Sequence, residues 1–294
     1  SGKIESLAKT EANKMLNGEF DFSSLDISLF KNFPKASLTL NNFWIKGADE
    51  FSNDTIAKGK ELTATINLFS LFGDNYKIDR VILKEATLKA VIAENDKVNW
   101  DILKETDQAP SQETSSEESG DFSLELNQFT LDDLTILFDN RKDKELMSIN
   151  HLQLNLKGDL SSDHTTLNIS AETPSISYNV NGLALVNSIS LKTKINLDAD
   201  LKNNKFTFNK NEIQLNAIKA SLDGWVALQD DDAIEMDLNL NTDKIDFKQI
   251  LSLIPALYTN DFKGLKTEGQ ATLAAYAKGT YKGENLPNFN LKLD

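Results

Sequence analysis

The sequence contains no cysteine. Disulfides, thiolate nucleophiles and cysteine-ligated metals are excluded together. Histidine occurs twice, at His151 and His164, so a multi-histidine metal site is not expected. As members of a Ser-His-Asp triad the two are poor candidates, because each lies among polar residues of a strand or turn, where a solvated side chain belongs. Positive charge is scarce: 31 Lys and Arg stand against 45 Asp and Glu, for a formal charge of −14. A nucleic-acid partner is not expected, since phosphate neutralisation needs a basic face, and an anionic membrane surface would repel the chain. No run approaches the roughly 18 to 20 apolar residues of a membrane-crossing helix. No basic segment followed by an apolar one opens the chain, so no signal peptide is read. There is neither G-x-G-x-x-G nor a Walker phosphate loop, and no cofactor is expected. Asp230-Asp-Asp232 lacks the glycine and alternating ligands of a calcium loop and reads as a charged hairpin tip. Asn53-Asp-Thr55 and Asn168-Ile-Ser170 match the glycosylation sequon, which matters only in a eukaryotic secretory setting. No carboxylates are paired by spacing as acid and base, and the chain reads as not an enzyme.

What is present is a folded chain of 294 residues, 40% apolar and 26% charged, long enough for one or two domains with a real core. Ser1-Gly2, and a close at Asn288–Asp294 in mid-alternation, read as the ends of a fragment of a longer protein. A strand edge left at Asp294 would also offer pairing to a second copy. Residues 3–17 place Ile4, Leu7, Ala8, Ala12, Met15 and Leu16 along one helical stripe, with Gly18 where a C′ glycine belongs. Almost everything afterwards alternates with period two, for example Thr87–Ile92, Thr166–Ser170, and Ile189, Leu191, Thr193, Ile195, Leu197, Ala199 and Leu201. Such strands are wet on one face and dry on the other, the habit of antiparallel sheets. A six-residue pattern recurs: apolar, Asn or Asp, any, apolar, any, apolar. It appears at Leu40–Ile45, Ile78–Leu83, Leu126–Leu131, Ile149–Leu154 and Val186–Leu191. Its first interval of three switches side-chain parity, which predicts a bulge or bend in each copy. A second helix is predicted over Asp246–Leu257, with Asp246 as N-cap, Gln249 at N3, and Pro255 as kink or stop. The expected division is an α+β module over 1–104, a flexible acidic loop over 105–121, and a longer β module with a capping helix over 122–294. Trp44 and Trp225 are expected to pack in the core or at a sheet end, and Trp100 to anchor the chain before the acidic loop.

Several segments are similar to one known family. Phe30-Lys-Asn-Phe-Pro-Lys-Ala-Ser-Leu-Thr-Leu40 resembles the F-P-x-x-x-L-x-L stretch of AsmA-like proteins, and Lys97-Val-Asn-Trp-Asp-Ile-Leu103 resembles their N-W-D-x-L motif. Lys58–Leu62, Phe69–Phe72 and Ile78–Ile92 follow in that family's order, and Asp246–Pro255 with Phe262–Gly269 resembles a later segment. The resemblance implies a periplasmic protein of a Gram-negative envelope, anchored in a membrane by an N-terminal transmembrane helix absent from this sequence. It also implies kinship with TamB and the bridge-like lipid-transfer proteins, whose long curled sheets form apolar grooves.

The expected fold is therefore mainly β, an elongated curled antiparallel sheet forming a half-pipe groove, with the N-terminal helix and the short second helix. One residue of every two would line the interior, and the candidates are Leu88, Ala90, Ile92, Ile195, Leu197, Leu222, Val226, Met236, Leu238 and Leu240. Acyl chains of phospholipid or another amphiphile would lie there, moving between inner and outer membranes in support of outer-membrane biogenesis. Two alternatives stand beside this one. The protein could be a structural or assembly factor for outer-membrane proteins, working through envelope partners, or a surface β-sandwich binding module. The last, a module binding carbohydrate or protein, is weakened because aromatics at only 8%, with 5 Tyr and 3 Trp, offer little for sugar stacking.

Overall fold

The computed structural model describes residues 2–67, 78–104, 126–160, 162–230, 233–253, 268–283 and 285–294. The fold is mainly β: an opening helix, a short second helix, and a 14-stranded sheet, with two further short strands paired apart. The chain divides into two compact units, residues 1–126 with 131–147 and residues 127–130 with 148–294. The acidic loop over 105–121, Phe69–Phe72, residues 254–257 of the predicted second helix, and residues 262–267 lie outside the described residues.

In the first unit, helix α1 (Gly2–Met15) leads into β1 (Glu19–Asp21), β2 (Ser24–Asn32) and β3 (Lys35–Lys46). A single 3-10 turn (Asp49–Phe51) then precedes β4 (Thr55–Asn67) and β5 (Ile78–Ile92). Strands β1 and β2 both pair with β3, in registers such as Asp21↔Trp44 and Leu25↔Leu40, and β3, β4 and β5 follow in antiparallel order. Beside β5 lies β6 (Gln128–Asn140), which β7 (Glu145–Lys157) follows; both strands contribute residues to the two units. The Arg141 amide donates to the Ile92 carbonyl at 2.9 Å, so the C-terminal ends of β5 and β6 adjoin and the two run parallel. The sheet is thus mixed.

The predicted α1 forms, and its apolar stripe is covered only in part: Ala8 packs against the Phe22–Phe43 cluster, while Ile4, Leu7 and Met15 are 53%, 60% and 66% exposed. Polar groups fasten the helix as well. Asn13 both donates to the Phe20 carbonyl and accepts from the Phe20 amide, each at 2.8 Å, and Lys9 meets Asp21 at 2.6 Å. Gly18 is not a left-handed cap; a Cβ there would come within 2.2 Å of the Lys46 carbonyl oxygen, so the close pass of the chain by the end of β3 demands glycine.

The core of this unit is Phe22, Phe43 and Ala57, with Leu25, Leu40, Ile45, Leu62, Leu83 and Leu88 around them. Leu40, Phe43 and Ile45 reach one cluster because Asn42 has φ +50°. One left-handed residue switches parity, and Asn tolerates that conformation through its short polar side chain. The register advances by two on both strands there (Asn41↔Glu61, Phe43↔Gly59), so the predicted feature is a bend with no inserted residue. Gly59 leaves room for it, since a Cβ would sit 2.7 Å from the Phe43 ring and 2.9 Å from Ala86. His151 (φ +52°) and Ser188 (φ +54°) hold the same third position in their copies of the pattern. In the Ile78–Leu83 and Leu126–Leu131 copies the left-handed residue comes five positions later, at Glu85 and Asp133.

The second unit is a meander. After β7 come β8 (His164–Val180), β9 (Leu183–Asp200), β10 (Lys205–Leu215), β11 (Ile218–Leu228) and β12 (Ile234–Thr242). A two-stranded ladder, β13 (Ile245–Asp246) with β14 (Gln270–Ala271), flanks α2 (Phe247–Leu251), and β15 (Leu273–Tyr281) and β16 (Asn288–Leu293) finish the large sheet. Asp246 stands at the N-cap of α2 as predicted, without a side-chain capping bond. Asn181-Gly182, with φ +51° and +81°, closes the β8–β9 hairpin in the doubly left-handed turn that matches strand twist.

Candidate functional site

Residues opposite one another in a ladder share a face. In the second unit this rule yields a file across seven strands: Leu167, Leu197, Phe208, Gly224, Leu238, Ala277 and Phe289. A parallel file runs Ala199, Phe206, Val226, Met236 and Gly279, and another runs Leu222, Leu240, Ala275 and Leu291. All seven predicted lining residues of this unit, Ile195, Leu197, Leu222, Val226, Met236, Leu238 and Leu240, therefore lie on one apolar face. Parity survives an irregularity in β10 between Phe208 and Asn211, which carries one extra residue relative to β11.

Burial is graded along that face. Leu197 is 5% exposed in a cluster with Leu167 and Ala199, backed by Ile169, Ile195, Phe206 and Phe208. The other six predicted residues are half-buried. On β16, Phe289 and Leu291 are 72% and 66% exposed. Gly224, at φ +118°, interrupts the file because β12 passes too close for a side chain: a Cβ would sit 1.9 Å from the Asp237 carbonyl oxygen.

The remaining three predicted residues belong to the first unit. Leu88 pairs with Ala57 and packs into the Phe22–Phe43 cluster. Ala90 and Ile92 share its side of β5 and are half-buried, while Val91 and Ala93 point the other way into a cluster with Phe51. Asn99 secures this end of β5. It is 1% exposed, accepts from the Val91 amide at 2.9 Å and donates to the Lys89 carbonyl at 2.8 Å. The anchor in the Asn-Trp-Asp stretch is thus Asn99, and Trp100, expected to serve, is 46% exposed.

The opposite face of the second unit is hydrophilic, with Asp198, Thr207, Trp225, Asp237, Lys278 and Asn288 in one file. Asp237 meets Lys278 at 2.7 Å and, by hydrogen bond and charge, raises the ammonium above its ordinary pKa. Trp225 is on this wet face and not in a core, with the Lys205 ammonium 4.4 Å above its ring; Trp44 is half-buried with Lys46 4.7 Å above it. His164 is exposed beside Asp200 at 3.8 Å, and His151 serves the backbone bend. Among the described residues no group of acidic residues and histidine could hold a metal ion, and no helix is long and apolar enough to cross a membrane. Sequence reasoning missed a recess across β7 to β10 lined by Asn155, Asn168, Asn196, Asn209 and Asn211, with Ile169 and Ile195 beside them. The available signal was asparagine recurring inside strands, where it is normally depleted.

These features define a class: a mainly-β protein whose meander has one continuous apolar face and one polar face. No protein-family model, curated protein or solved structure matches the chain.

Proposed function

We propose that the apolar face of the second unit binds the acyl chains of phospholipid or another amphiphile, and that the protein is a non-enzymatic lipid carrier of a Gram-negative envelope. The observation that carries this reading is the apolar file from Leu167 to Phe289, most of whose neighbours on the face stay half-buried or exposed. A contiguous apolar surface left accessible marks a site for a ligand or partner. Each methylene removed from water there is worth about 0.8 kcal/mol. Such contacts are non-directional, so a chain can slide along the face without breaking specific bonds. The likeness of Phe30–Leu40 and Lys97–Leu103 to the AsmA-like family supports the periplasmic, membrane-anchored setting and transfer between the two membranes.

The test is organic extraction and mass spectrometry of the purified protein beside Leu238→Asp. Phospholipid in the wild type, lost in a variant that still folds, is the expected result. No lipid in the wild type, together with unfolding of Leu238→Asp, would mean a closed core, and the reading as an assembly factor would take its place.

A further inference from the structure

Strand β16 is an open edge of the second unit: β15 lies on one side of it and, among the described residues, no strand lies on the other. The direction of each backbone group on β16 follows from its ladder. Thr272 and Asp294 exchange both backbone hydrogen bonds, at 2.9 and 3.0 Å, so theirs is a hydrogen-bonded rung. Bonded and unbonded rungs alternate along an antiparallel pair, and the register runs without a shift from Leu273↔Leu293 to Lys278↔Asn288. Asn288, Asn290 and Lys292 therefore direct their amides and carbonyls at β15. Phe289, Leu291 and Leu293 turn theirs outward.

The same three residues carry the apolar side chains of the strand, and all three are exposed. They stand opposite Ala277, Ala275 and Leu273 and complete the apolar face of the unit. A row of free donors and acceptors under exposed apolar side chains is a template for another strand, and natural proteins usually mask such edges. In the first unit, edge strand β2 has its Leu25 amide taken by the Glu5 carboxylate of α1 at 3.4 Å. On β16 the one charged side chain that could repel a partner, Lys292, lies on the polar face and is paired with Asp294.

We propose that β16 pairs antiparallel with β16 of a second copy, about a two-fold axis at Leu291. In that register Leu291 meets its own counterpart and Phe289 meets Leu293, and each rung exchanges two hydrogen bonds, so every outward group of the three residues is used. On the polar face Asn290 meets Lys292 and Asn288 meets Asp294, with no like charges opposed. Neighbouring registers do worse. An axis at Lys292 sets ammonium against ammonium. Axes at Asn290 and Phe289 bring Leu293 and Leu291, respectively, opposite Pro287, which has no amide to donate. This match of β16 with itself in reverse favours a second copy over an unrelated strand, and a two-fold closes after two copies. The axis stands perpendicular to the sheet, so the two apolar faces lie on one side and their files join, Ala277 and Phe289 of one copy running into Leu293 and Leu273 of the other. A longer path for acyl chains along the joined face rests on the function proposed above; the pairing itself does not.

The experiment is sedimentation velocity of the whole protein from about 1 to 100 µM, with lipid measured by mass spectrometry in each fraction. A reversible dimer is expected. Leu291→Pro removes only an outward amide and leaves the β15 ladder intact, and Leu291→Lys opposes two like charges at the axis; each is expected to weaken the dimer at least about tenfold without changing the circular dichroism. Because the chain has no cysteine, single-cysteine variants report the register under oxidation. Leu291→Cys is expected to crosslink to itself across about 5.5 Å, and Phe289→Cys to Leu293→Cys in a mixture. Phe289→Cys alone should not crosslink, its counterpart being about 14 Å away. A monomer throughout the range, a dimer untouched by both Leu291 variants, or self-linkage of Phe289→Cys exceeding that of Leu291→Cys would overturn the proposal. A dimer free of lipid would count against the lipid reading alone, and a lipid-loaded monomer against the pairing alone.

Discussion

Truncating Leu197 and Leu238 to alanine separates a closed core from an open face. Leu197 is 5% exposed and packs on Leu167, Ala199, Phe206 and Phe208. Leu197→Ala therefore loses both transfer energy and the cost of a cavity, about 3 kcal/mol. Leu238 occupies the same file two strands away but is half-buried. Removing its three outer carbons gives up about 2.4 kcal/mol at full burial, hence about 1.5 to 2 kcal/mol at this partly buried position, with no enclosed void to add. Of the three tryptophans, Trp225 alone lies in the second unit, so a Trp44→Phe, Trp100→Phe background makes its fluorescence a reporter of that unit. In urea, with a slope of about 2 kcal/mol per molar, the two variants should differ in midpoint by about 0.5 M or a little more. A loss at Leu238 equal to that at Leu197 would show the face to be closed core and refute the reasoning.

Other outcomes follow from single contacts. Gly224→Ala should cost more than about 3 kcal/mol or abolish folding, because its φ is +118° and its Cβ meets the Asp237 carbonyl; Gly182→Ala, with φ +81° and open space, should cost about 1 kcal/mol, and thermal melts compare them. Asn99→Ala should destabilise the first unit by about 2 to 4 kcal/mol in denaturant titration, since it strands the Val91 amide and Lys89 carbonyl, whereas Trp100→Ala should cost under about 1 kcal/mol. The Asp21 carboxyl is held below its ordinary pKa, first by the hydrogen bond from Lys9 and then by that from the Phe22 amide. Its contribution is complete above the unfolded value near about pH 4 and fades as pH falls through the lower folded value. Amide exchange in α1 should therefore rise in that acid window in the wild type and change less in Asp21→Asn.

The strands were legible because one dry side chain in two is written directly into Ile189–Leu201 and Ile234–Leu240. The bends at Asn42, His151 and Ser188 were legible too, since an interval of three within alternation demands a parity switch. Glu85 and Asp133 were displaced from their predicted copies because the left-handed conformation is a backbone choice settled by packing, and Glu85 carries no Asn-like local chemistry to announce it. The stripe of α1 predicted burial, yet Asn13 and Lys9 fasten the helix through β1 and leave Ile4, Leu7 and Met15 exposed. Trp100 looked like an anchor by size, while the smaller Asn99 fits the end of β5 because it can both donate and accept there. The asparagine recess was hidden for another reason. Asn155 and Asn211 are distant in sequence, and only the register of β7 to β10 with one irregular strand brings them together.

The most direct test of the apolar face as a lipid site is to place a photoactivated crosslinking residue, one position at a time, from 236 to 240 in the whole protein in membranes or with phospholipid vesicles. Neighbours along β12 alternate between the two faces. Lipid adducts are expected from positions 236, 238 and 240 and not from 237 and 239. Adducts of equal yield at all five positions, or none at 236, 238 and 240, would contradict a lipid site on that face.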